Sequence, residues 1–197
     1  MARRADHTRE QLKKLAIAAG RNLIIEGGYK NLTARHVAAE IGYTIGTLYN
    51  VFEDFDDLRL HTHGETLDGL LKYIQQNLTQ EYQGINRLKQ LAILYLEYGQ
   101  QNFALWQALL SYIRPINGQV PDWYQQKIMA LFDLLEKVIQ GFLGEHPDNH
   151  RHARILWASL HGMYLLSQTG KFTAIEAERP QTLVATFIET YIKGMKS

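Results

Sequence analysis

The segment Ile41–Thr47, IGYTIGT, combines two threonine hydroxyls, one phenol and two glycines, and it carries no charge. Hydroxyl groups both donate and accept hydrogen bonds, and glycine lets a backbone come close to a partner. Such a small, uncharged surface can enter a groove of DNA. Four carboxylates follow soon after, at Glu53, Asp54, Asp56 and Asp57. Because they repel a polyanion, their position needs an explanation of its own.

The residues around this segment follow a helix-turn-helix pattern. The sequence predicts a helix from the N-cap Thr33 to Ile41, a turn at Gly42, and a second helix from Thr44 to about Val51. In such a unit the second helix lies in the major groove and reads bases with its N-terminal residues. Thr33 offers a hydroxyl and a positive helix end to a phosphate. Two packed helices with ordinary caps would look the same, so helix-Gly-helix alone is a weak indication.

The start of the following helix accounts for the carboxylates. Asp54 stands at the expected N-cap of a helix over about Asp56–Asn77, and Asp57 also lies in its first turn. Carboxylates there accept unpaired backbone N–H groups and favour the positive helix end by about 0.3 to 1 kcal/mol each. Their cost is negative charge close to the predicted DNA-facing surface.

The charge of the chain is unevenly distributed. The 197 residues carry a formal net charge of +1, whereas residues 1–49 hold eight basic and four acidic residues, a balance of +4. A basic segment is a mild indication of nucleic-acid binding, and a solvated basic face is the alternative. The basic residues are Arg3, Arg4, Arg9, Lys13, Lys14, Arg21, Lys30 and Arg35, and the acidic ones are Asp6, Glu10, Glu26 and Glu40.

Helical spacing of apolar residues extends over almost the whole chain, which predicts an all-α fold. The first helix begins at Thr8-x-x-Gln11, a capping-box pattern, and ends at Gly27-Gly28. Helix size changes near residue 55, which favours a domain over 1–55 followed by a larger helical domain over 56–197. The further predicted helices cover about Asp56–Asn77, Ile85–Asn102, Phe103–Ile113, Asp122–Phe142, His150–Gln168 and Pro180–Met195.

At residues Thr8 to Leu60 the sequence resembles the TetR family of transcriptional regulators. The resemblance implies a homodimer in which each protomer joins an N-terminal three-helix DNA-binding domain to a C-terminal ligand-binding and dimerisation domain. It rests on Gly27, Gly28, Tyr29, Thr33, Val37, Ala38, Gly42, Gly46, Thr47, Leu48, Tyr49, Phe52 and Leu58.

The resemblance also implies individual DNA contacts. It assigns phosphate contacts to Thr33 and Tyr49, with Arg35 and His36 able to make them as well. The residues that face bases are Tyr43, Thr44, Ile45 and Thr47. Family members usually carry a lysine three residues after the position of Phe52, and this chain has Phe55 there, so one common phosphate contact is in doubt. Core packing is the preferred role of Phe55.

The predicted helix from His150 is apolar nearly all round and therefore needs cover on two sides. Its own protomer can supply one side, and a second copy that packs the last two helices into a four-helix bundle can supply the other. The expected dimer interface comprises Leu156, Leu160, Leu183, Phe187 and Tyr191. The run from Leu156 to Gly170 resembles the Trp-His-Gly type of C-terminal domain at Trp157, His161 and Gly162, although His161 also fits an ordinary core histidine.

Aromatic side chains with polar tips are frequent in the middle of the chain, as in apolar small-molecule sites. Few charges accompany them, so the expected ligand is largely apolar. A helical core is filled by the same residues, and that alternative stays open for each of them. The candidate pocket residues are Tyr95, Tyr98, Phe103, Trp106, Tyr112, Trp123, Phe132, His161 and Tyr164.

An enzyme is the first alternative class, and the sequence does not favour it. The chain has no cysteine, which excludes disulfides, thiolate catalysis and cysteine-bound zinc. His61 and His63 are spaced for different faces of a helix, and Pro147 interrupts His146 and His150. We expect no catalytic residues, no metal and no cofactor. No membrane span or signal peptide is indicated, so we expect a cytoplasmic protein.

These observations favour a dimeric DNA-binding transcriptional regulator, most simply a repressor. It would bind double-stranded DNA at a (pseudo)palindromic operator and be released by a small, largely apolar effector. The alternative is a helical dimer that binds an apolar ligand or a protein partner without specific DNA binding. The missing lysine and the acidic run support that alternative.

Overall fold

The computed structural model describes residues 7–112 and 120–195, and this part of the chain is all-helical, as predicted. A short 3-10 helix, Tyr29–Asn31, lies between the first two α-helices. The α-helices are α1 Arg9–Gly27, α2 Ala34–Glu40, α3 Ile45–Tyr49, α4 Phe55–Asn77, α5 Gly84–Gln101, α6 Phe103–Ser111, α7 Asp122–Leu143, α8 Asn149–Gln168, α9 Lys171–Ala174 and α10 Pro180–Met195.

The helix ends agree closely with the capping residues in the sequence. At the start of α1 the Gln11 backbone N–H donates to Thr8 Oγ1 over 3.2 Å, and the Thr8 N–H donates to Gln11 Oε1 over 2.8 Å, which completes the predicted capping box. Gly28 ends α1 with a φ of 74°. The sequence did not predict the 3-10 helix or α9, because helices of three or four residues are too short to show a period.

Two predictions differ from the structure or lie outside it. Helix α3 ends at Tyr49, short of the predicted Val51, because the chain leaves the helix to bury Val51 and Phe52. The predicted end of the sixth helix, Ile113, lies outside the described residues, as do Arg3, Arg4 and Asp6 of the charge count.

Two compact units make up the described chain. The first comprises residues 7–69, 102–112 and 120–127, and the second comprises residues 70–101 and 128–195. In the first unit, α1, α2, α3, the start of α4 and α6 bury one apolar core around Ala16, Ile24, Val37, Leu48 and Phe52. Leu105 and Ala108 of α6 belong to this core, although they are far from the others in sequence. The predicted functional boundary at residue 55 stays a prediction.

The second unit is built from the last part of α4, residues 70–77, together with α5, α8, α9, α10 and most of α7. Helix α10 packs against α5 and α8 and buries Val184, Ile188 and Ile192, which recur at helical spacing. Lys89 of α5 also forms an ion pair with Glu189 of α10. Within residues 7–112 and 120–195, no helix is long and apolar enough to cross a membrane.

Candidate nucleic-acid interface

Helix α2 presents polar groups at its start. The Thr33 hydroxyl accepts the His36 backbone N–H over 3.1 Å, so Thr33 is the N-cap that the sequence predicted. Arg35 and His36 are exposed, and Thr33 is half-buried. His36 Nδ1 lies 2.9 Å from the carbonyl oxygen of Asn31. A carbonyl only accepts, so the hydrogen of this bond is on Nδ1.

The turn between α2 and α3 is fixed by backbone hydrogen bonds. The Tyr43 N–H donates to the Ala38 carbonyl over 2.9 Å, and the Gly42 N–H donates to the Ala39 carbonyl over 3.1 Å, the pattern of a Schellman motif. Gly42 has a φ of 73°, a left-handed conformation that other residues adopt only with strain. The turn therefore sets the direction in which α3 leaves α2.

Helix α3 divides cleanly into a buried and an exposed side. Leu48 is buried in the core, whereas Ile45 is 41% exposed and Tyr49 is 47% exposed. Thr44 is also exposed, and Thr47 is half-buried. The Thr44 hydroxyl caps the helix by accepting the Thr47 N–H over 3.2 Å, and the two hydroxyl oxygens lie 2.9 Å apart. The exposed side thus holds hydroxyls, a branched apolar side chain and a phenol.

Tyr43 joins the core to the exposed surface. Its ring is half-buried and packs against the core of the first unit, and its hydroxyl lies 2.8 Å from Nδ1 of His7. The two rings meet edge to face, with centroids 6.1 Å apart. No sequence pattern indicates a role for His7, because the contact joins residues 36 positions apart.

The acidic run starts α4, as predicted. Asp54 Oδ1 accepts the Asp57 N–H over 2.8 Å, which makes Asp54 the cap. Asp57 reaches back and accepts the Glu53 N–H over 3.2 Å. Asp57 Oδ1 also lies 3.3 Å from Nε2 of His61. These carboxylates therefore have partners within the chain.

Phe55 packs against the core, in agreement with its preferred role. The guanidinium of Arg59 lies 4.2 Å from the centre of the Phe55 ring and donates to Asp56 Oδ1 over 2.7 Å. The cation of Arg59 is thus held between an aromatic face and a carboxylate.

Two histidines of α4 sit in different surroundings. His63 is only 1% exposed and lies among the rings of Tyr29 and Tyr112, and burial, aided by the charge of Arg59, lowers its pKa to about 4. His61 stacks on Trp123 with centroids 4.1 Å apart, and its pKa is lowered by burial and by the nearby Lys13. Both rings are therefore neutral at pH 7.

The nine candidate pocket residues are divided between the two units. Phe103, Trp106, Tyr112 and Trp123 belong to the first unit, where Trp106 is buried and Phe103 is exposed. Tyr95, Tyr98, Phe132, His161 and Tyr164 belong to the second. The structure brings together members of the second group.

In the second unit a partly buried polar pair lies among aromatic rings. The Tyr95 hydroxyl is 2.7 Å from His161 Nδ1, and the Tyr164 hydroxyl donates to the Gly99 carbonyl over 3.0 Å. Trp157 packs on His161, with ring centroids 4.9 Å apart. Burial raises the pKa of Tyr164 to about 12, raises that of Tyr95 further and lowers that of His161. All three side chains are therefore uncharged at neutral pH.

The five candidate interface residues differ in burial. Leu156 and Leu160 are buried inside the protomer, which leaves them little surface for a partner. Leu183, Phe187 and Tyr191 of α10 are half-buried. The opposite side of α8 exposes other apolar residues, which are Ile155, Ala158, Leu165 and Leu166. Sequence reasoning missed this side because both faces of α8 are apolar.

Comparisons with known proteins agree with this geometry. A family model described as bacterial regulatory proteins, tetR family, matches residues 16–61, which include α2, the turn and α3. A second model, described as a tetracyclin repressor-like C-terminal domain, matches residues 88–191. A helix-turn-helix transcriptional regulator of Staphylococcus aureus (strain USA300) is 25% identical over 69% of this chain and 71% of its own length.

Solved structures share the fold. A protein of unknown function from Rhodococcus sp. RHA1 superposes with a TM-score of 0.75 at 17% identity, and each chain is covered to 98%. The fatty acid degradation regulator FadR from Bacillus halodurans superposes with a TM-score of 0.64 at 15% identity over 90% of this chain and 95% of that one.

The two family models follow each other in the same order as the helix-turn-helix and the helical domain, and the second alone covers more than half of the chain. Regulators of this kind bind DNA through the helix-turn-helix and are not enzymes. The Trp-His-Gly assignment of the C-terminal domain stays a prediction. The chain belongs to the TetR family of transcriptional regulators.

Proposed function

We propose that the protein is a dimeric repressor that binds a (pseudo)palindromic operator and is released by a small, largely apolar effector. The observation that carries the DNA-binding step is the exposed side of α3. Ile45 and Tyr49 are open to solvent while Leu48 of the same helix is buried, so packing in the core presents the candidate contacts outward.

The first turn of α3 supplies the chemistry for reading a major groove. Thr44 and Thr47 offer hydroxyls to base edges, and Ile45 offers an apolar surface to thymine methyl groups. Thr33 and Tyr49 are the phosphate contacts, with Arg35 and His36 beside them. Since all of these side chains except Thr33 and Thr47 are exposed, little rearrangement is needed before they meet DNA.

The exposed side of α8 supports a homodimer. Ile155, Ala158, Gly162 and Leu166 follow one another at helical spacing, and a side chain added at Gly162 would meet nothing within 4 Å. Small residues between larger apolar ones allow two helices to approach closely. The half-buried Leu183, Phe187 and Tyr191 of α10 would join this surface, whereas Leu156 and Leu160 support it from inside. Two copies would place recognition helices about one turn of DNA, ~34 to 36 Å, apart.

The aromatic surroundings of Tyr95 and His161 support an effector site in the second unit. The side chains there are uncharged at neutral pH, and the partly buried hydroxyl–imidazole pair can exchange its internal hydrogen bond for one to a ligand. A ligand that is mainly apolar with one polar group fits this chemistry. FadR, a structural neighbour, is described as a regulator of fatty acid degradation, which is a consistent precedent.

Effector release requires that the ligand binds the DNA-incompatible state more tightly. A coupling of about 1 to 3 kcal/mol is typical of such systems. The test is to select compounds that raise the melting temperature and to measure operator affinity with and without them. The effector step fails if no stabilising compound changes that affinity.

The DNA step is tested by selecting bound duplexes from a random library at two salt concentrations. A repressor that neutralises several phosphates should enrich an inverted repeat and lose affinity steeply as salt rises. Failure to enrich any duplex would favour the alternative, a helical dimer that binds a ligand or a protein without specific DNA binding.

A further inference from the structure

His7 contacts the helix-turn-helix from outside it. It precedes the capping residue Thr8 of α1, and its Nδ1 lies 2.8 Å from the hydroxyl of Tyr43, the residue that leads from the turn into α3. The imidazole and phenol rings also meet edge to face at an interplanar angle of 64°. Two kinds of contact thus join the start of α1 to the start of the recognition helix.

Tyr43 is held at three points, and His7 supplies the outermost one. The Tyr43 backbone N–H is bonded to the Ala38 carbonyl, and the half-buried ring packs on the core. The third point is the bond from the hydroxyl to His7. Without His7 the hydroxyl oxygen of Tyr43 would keep its position, but the O–H bond would be free to rotate about the C–O bond.

We infer that His7 is a positioning residue for DNA recognition, which fixes the hydroxyl of Tyr43 as a hydrogen-bond acceptor toward the DNA. This inference rests on the proposed DNA-binding function. In the imidazole tautomer with its hydrogen on Nε2, Nδ1 is an acceptor. The Tyr43 hydroxyl then donates to His7, and its remaining lone pairs face away from that bond.

An oriented acceptor distinguishes base pairs. In the major groove adenine and cytosine present amino donors, whereas guanine O6, guanine N7 and thymine O4 are acceptors. A phenol oxygen that accepts favours the amino groups, and a freely rotating hydroxyl accommodates either kind of base edge. His7 therefore adds sequence preference through Tyr43 without touching a base itself.

A substitution series on the full-length protein tests this. His7→Phe keeps the ring and removes the nitrogen, whereas His7→Asn keeps a hydrogen-bonding atom near the position of Nδ1. Tyr43→Phe removes the hydroxyl. The readouts are the melting temperature, the affinity for the selected operator, and the base preference at each position of the half-site.

We expect His7→Phe and Tyr43→Phe to relax preference at the same half-site position by about 2- to 10-fold, the range of one hydrogen bond. The double variant should lose no more than either single variant, and His7→Asn should retain most of the preference. A purely structural role would instead lower the melting temperature and weaken binding to all duplexes equally.

Unchanged base preference in His7→Phe would overturn the inference, whether or not the variant is less stable. Additive losses in the double variant would also overturn it, because they would show that the two residues act independently. If the unsubstituted protein binds no duplex, the proposed function itself fails, and that result is known before any variant is compared.

Discussion

The hydroxyl oxygens of Thr44 and Thr47 lie 2.9 Å apart, so the two candidate base contacts are hydrogen-bonded to each other. Thr44 also accepts the Thr47 N–H as the cap of α3. One lone pair of the Thr44 oxygen is therefore used by the helix, while the Thr47 hydroxyl can exchange its partner for a base. The two identical side chains therefore have different roles, since Thr44 caps the helix and Thr47 can contact a base.

We expect Thr47→Val to change base preference at one half-site position with little loss of stability, because valine has the same shape without the hydroxyl. Thr44→Val should lower the free energy of unfolding by about 1 kcal/mol, because the cap is lost. Chemical denaturation and duplex selection measure the two effects. Equal losses of stability from both substitutions would contradict the assignment of the cap to Thr44 alone.

Tyr49 is expected to contact phosphate, and Tyr49→Phe should weaken binding to all duplexes similarly. One lost hydrogen bond of about 1 kcal/mol corresponds to roughly 5-fold in affinity. The side chain is 47% exposed, so folding should be unaffected. Binding curves on the selected operator and on an unrelated duplex measure this. A change confined to the operator would assign Tyr49 to base reading instead.

Gly42 and Gly46 form a matched pair for substitution by alanine. At Gly42 a side chain meets nothing within 4 Å, but the φ of 73° is unfavourable, so Gly42→Ala should destabilise the protein by about 1 kcal/mol. At Gly46 a side chain meets only Thr44 Oγ1, at 3.7 Å, and alanine favours the helix.

Gly46→Ala should therefore leave stability unchanged or raise it, and yet lower DNA affinity if the backbone of α3 approaches DNA closely. Thermal unfolding and binding titrations on both variants provide the comparison. Full DNA affinity in Gly46→Ala would show that no close approach takes place there.

His63 makes stability depend on pH. Burial lowers its pKa from 6.5 to about 4 in the folded state. Between these values the unfolded chain binds a proton that the folded chain does not, so the free energy of unfolding falls as the pH decreases. The loss reaches about 3 kcal/mol near pH 4. Above pH 6.5 both states hold a neutral ring and the effect disappears.

The variant His63→Phe has no ionisable group at this position and keeps an aromatic ring between Tyr29 and Tyr112. The measurement is the difference between the two proteins in unfolding free energy at pH 7 and pH 4.5, since other groups contribute equally to both. At pH 4.5 the variant should be more stable relative to the unsubstituted protein than it is at pH 7. Parallel pH profiles would show that His63 is protonated in the folded protein.

Leu166 lies on the exposed side of α8 and serves to test the dimer. Leu166→Glu should shift sedimentation equilibrium toward monomer, because it places a charge in the proposed apolar interface. Gln76→Glu adds the same charge at an exposed position of α4 and is the control. A dimer that survives Leu166→Glu would place the interface elsewhere.

Local features were predictable from sequence because the responsible residues are neighbours in the chain. Thr8 with Gln11, Thr33 and Asp54 cap their helices, and Gly42 ends α2, each as its type and position indicated. The all-helical fold follows from the same local patterns.

Long-range relationships could not be predicted from a single sequence. No pattern indicates that Leu105 and Ala108 of α6 complete the core of the first unit, or that His7 meets Tyr43. The face of α8 that its protomer covers was also ambiguous. Leucines occur on both sides, and the sequence alone does not show that Leu156 is buried within the protomer.

The ring of His36 has one of its two nitrogens engaged within the chain. Its Nδ1 hydrogen is used by the Asn31 carbonyl, and in the tautomer with that single hydrogen Nε2 presents a lone pair. A phosphate oxygen presents only lone pairs as well, and the two repel. In that tautomer His36 cannot donate to a phosphate, so Thr33, Arg35 and Tyr49 would supply the phosphate contacts of this surface.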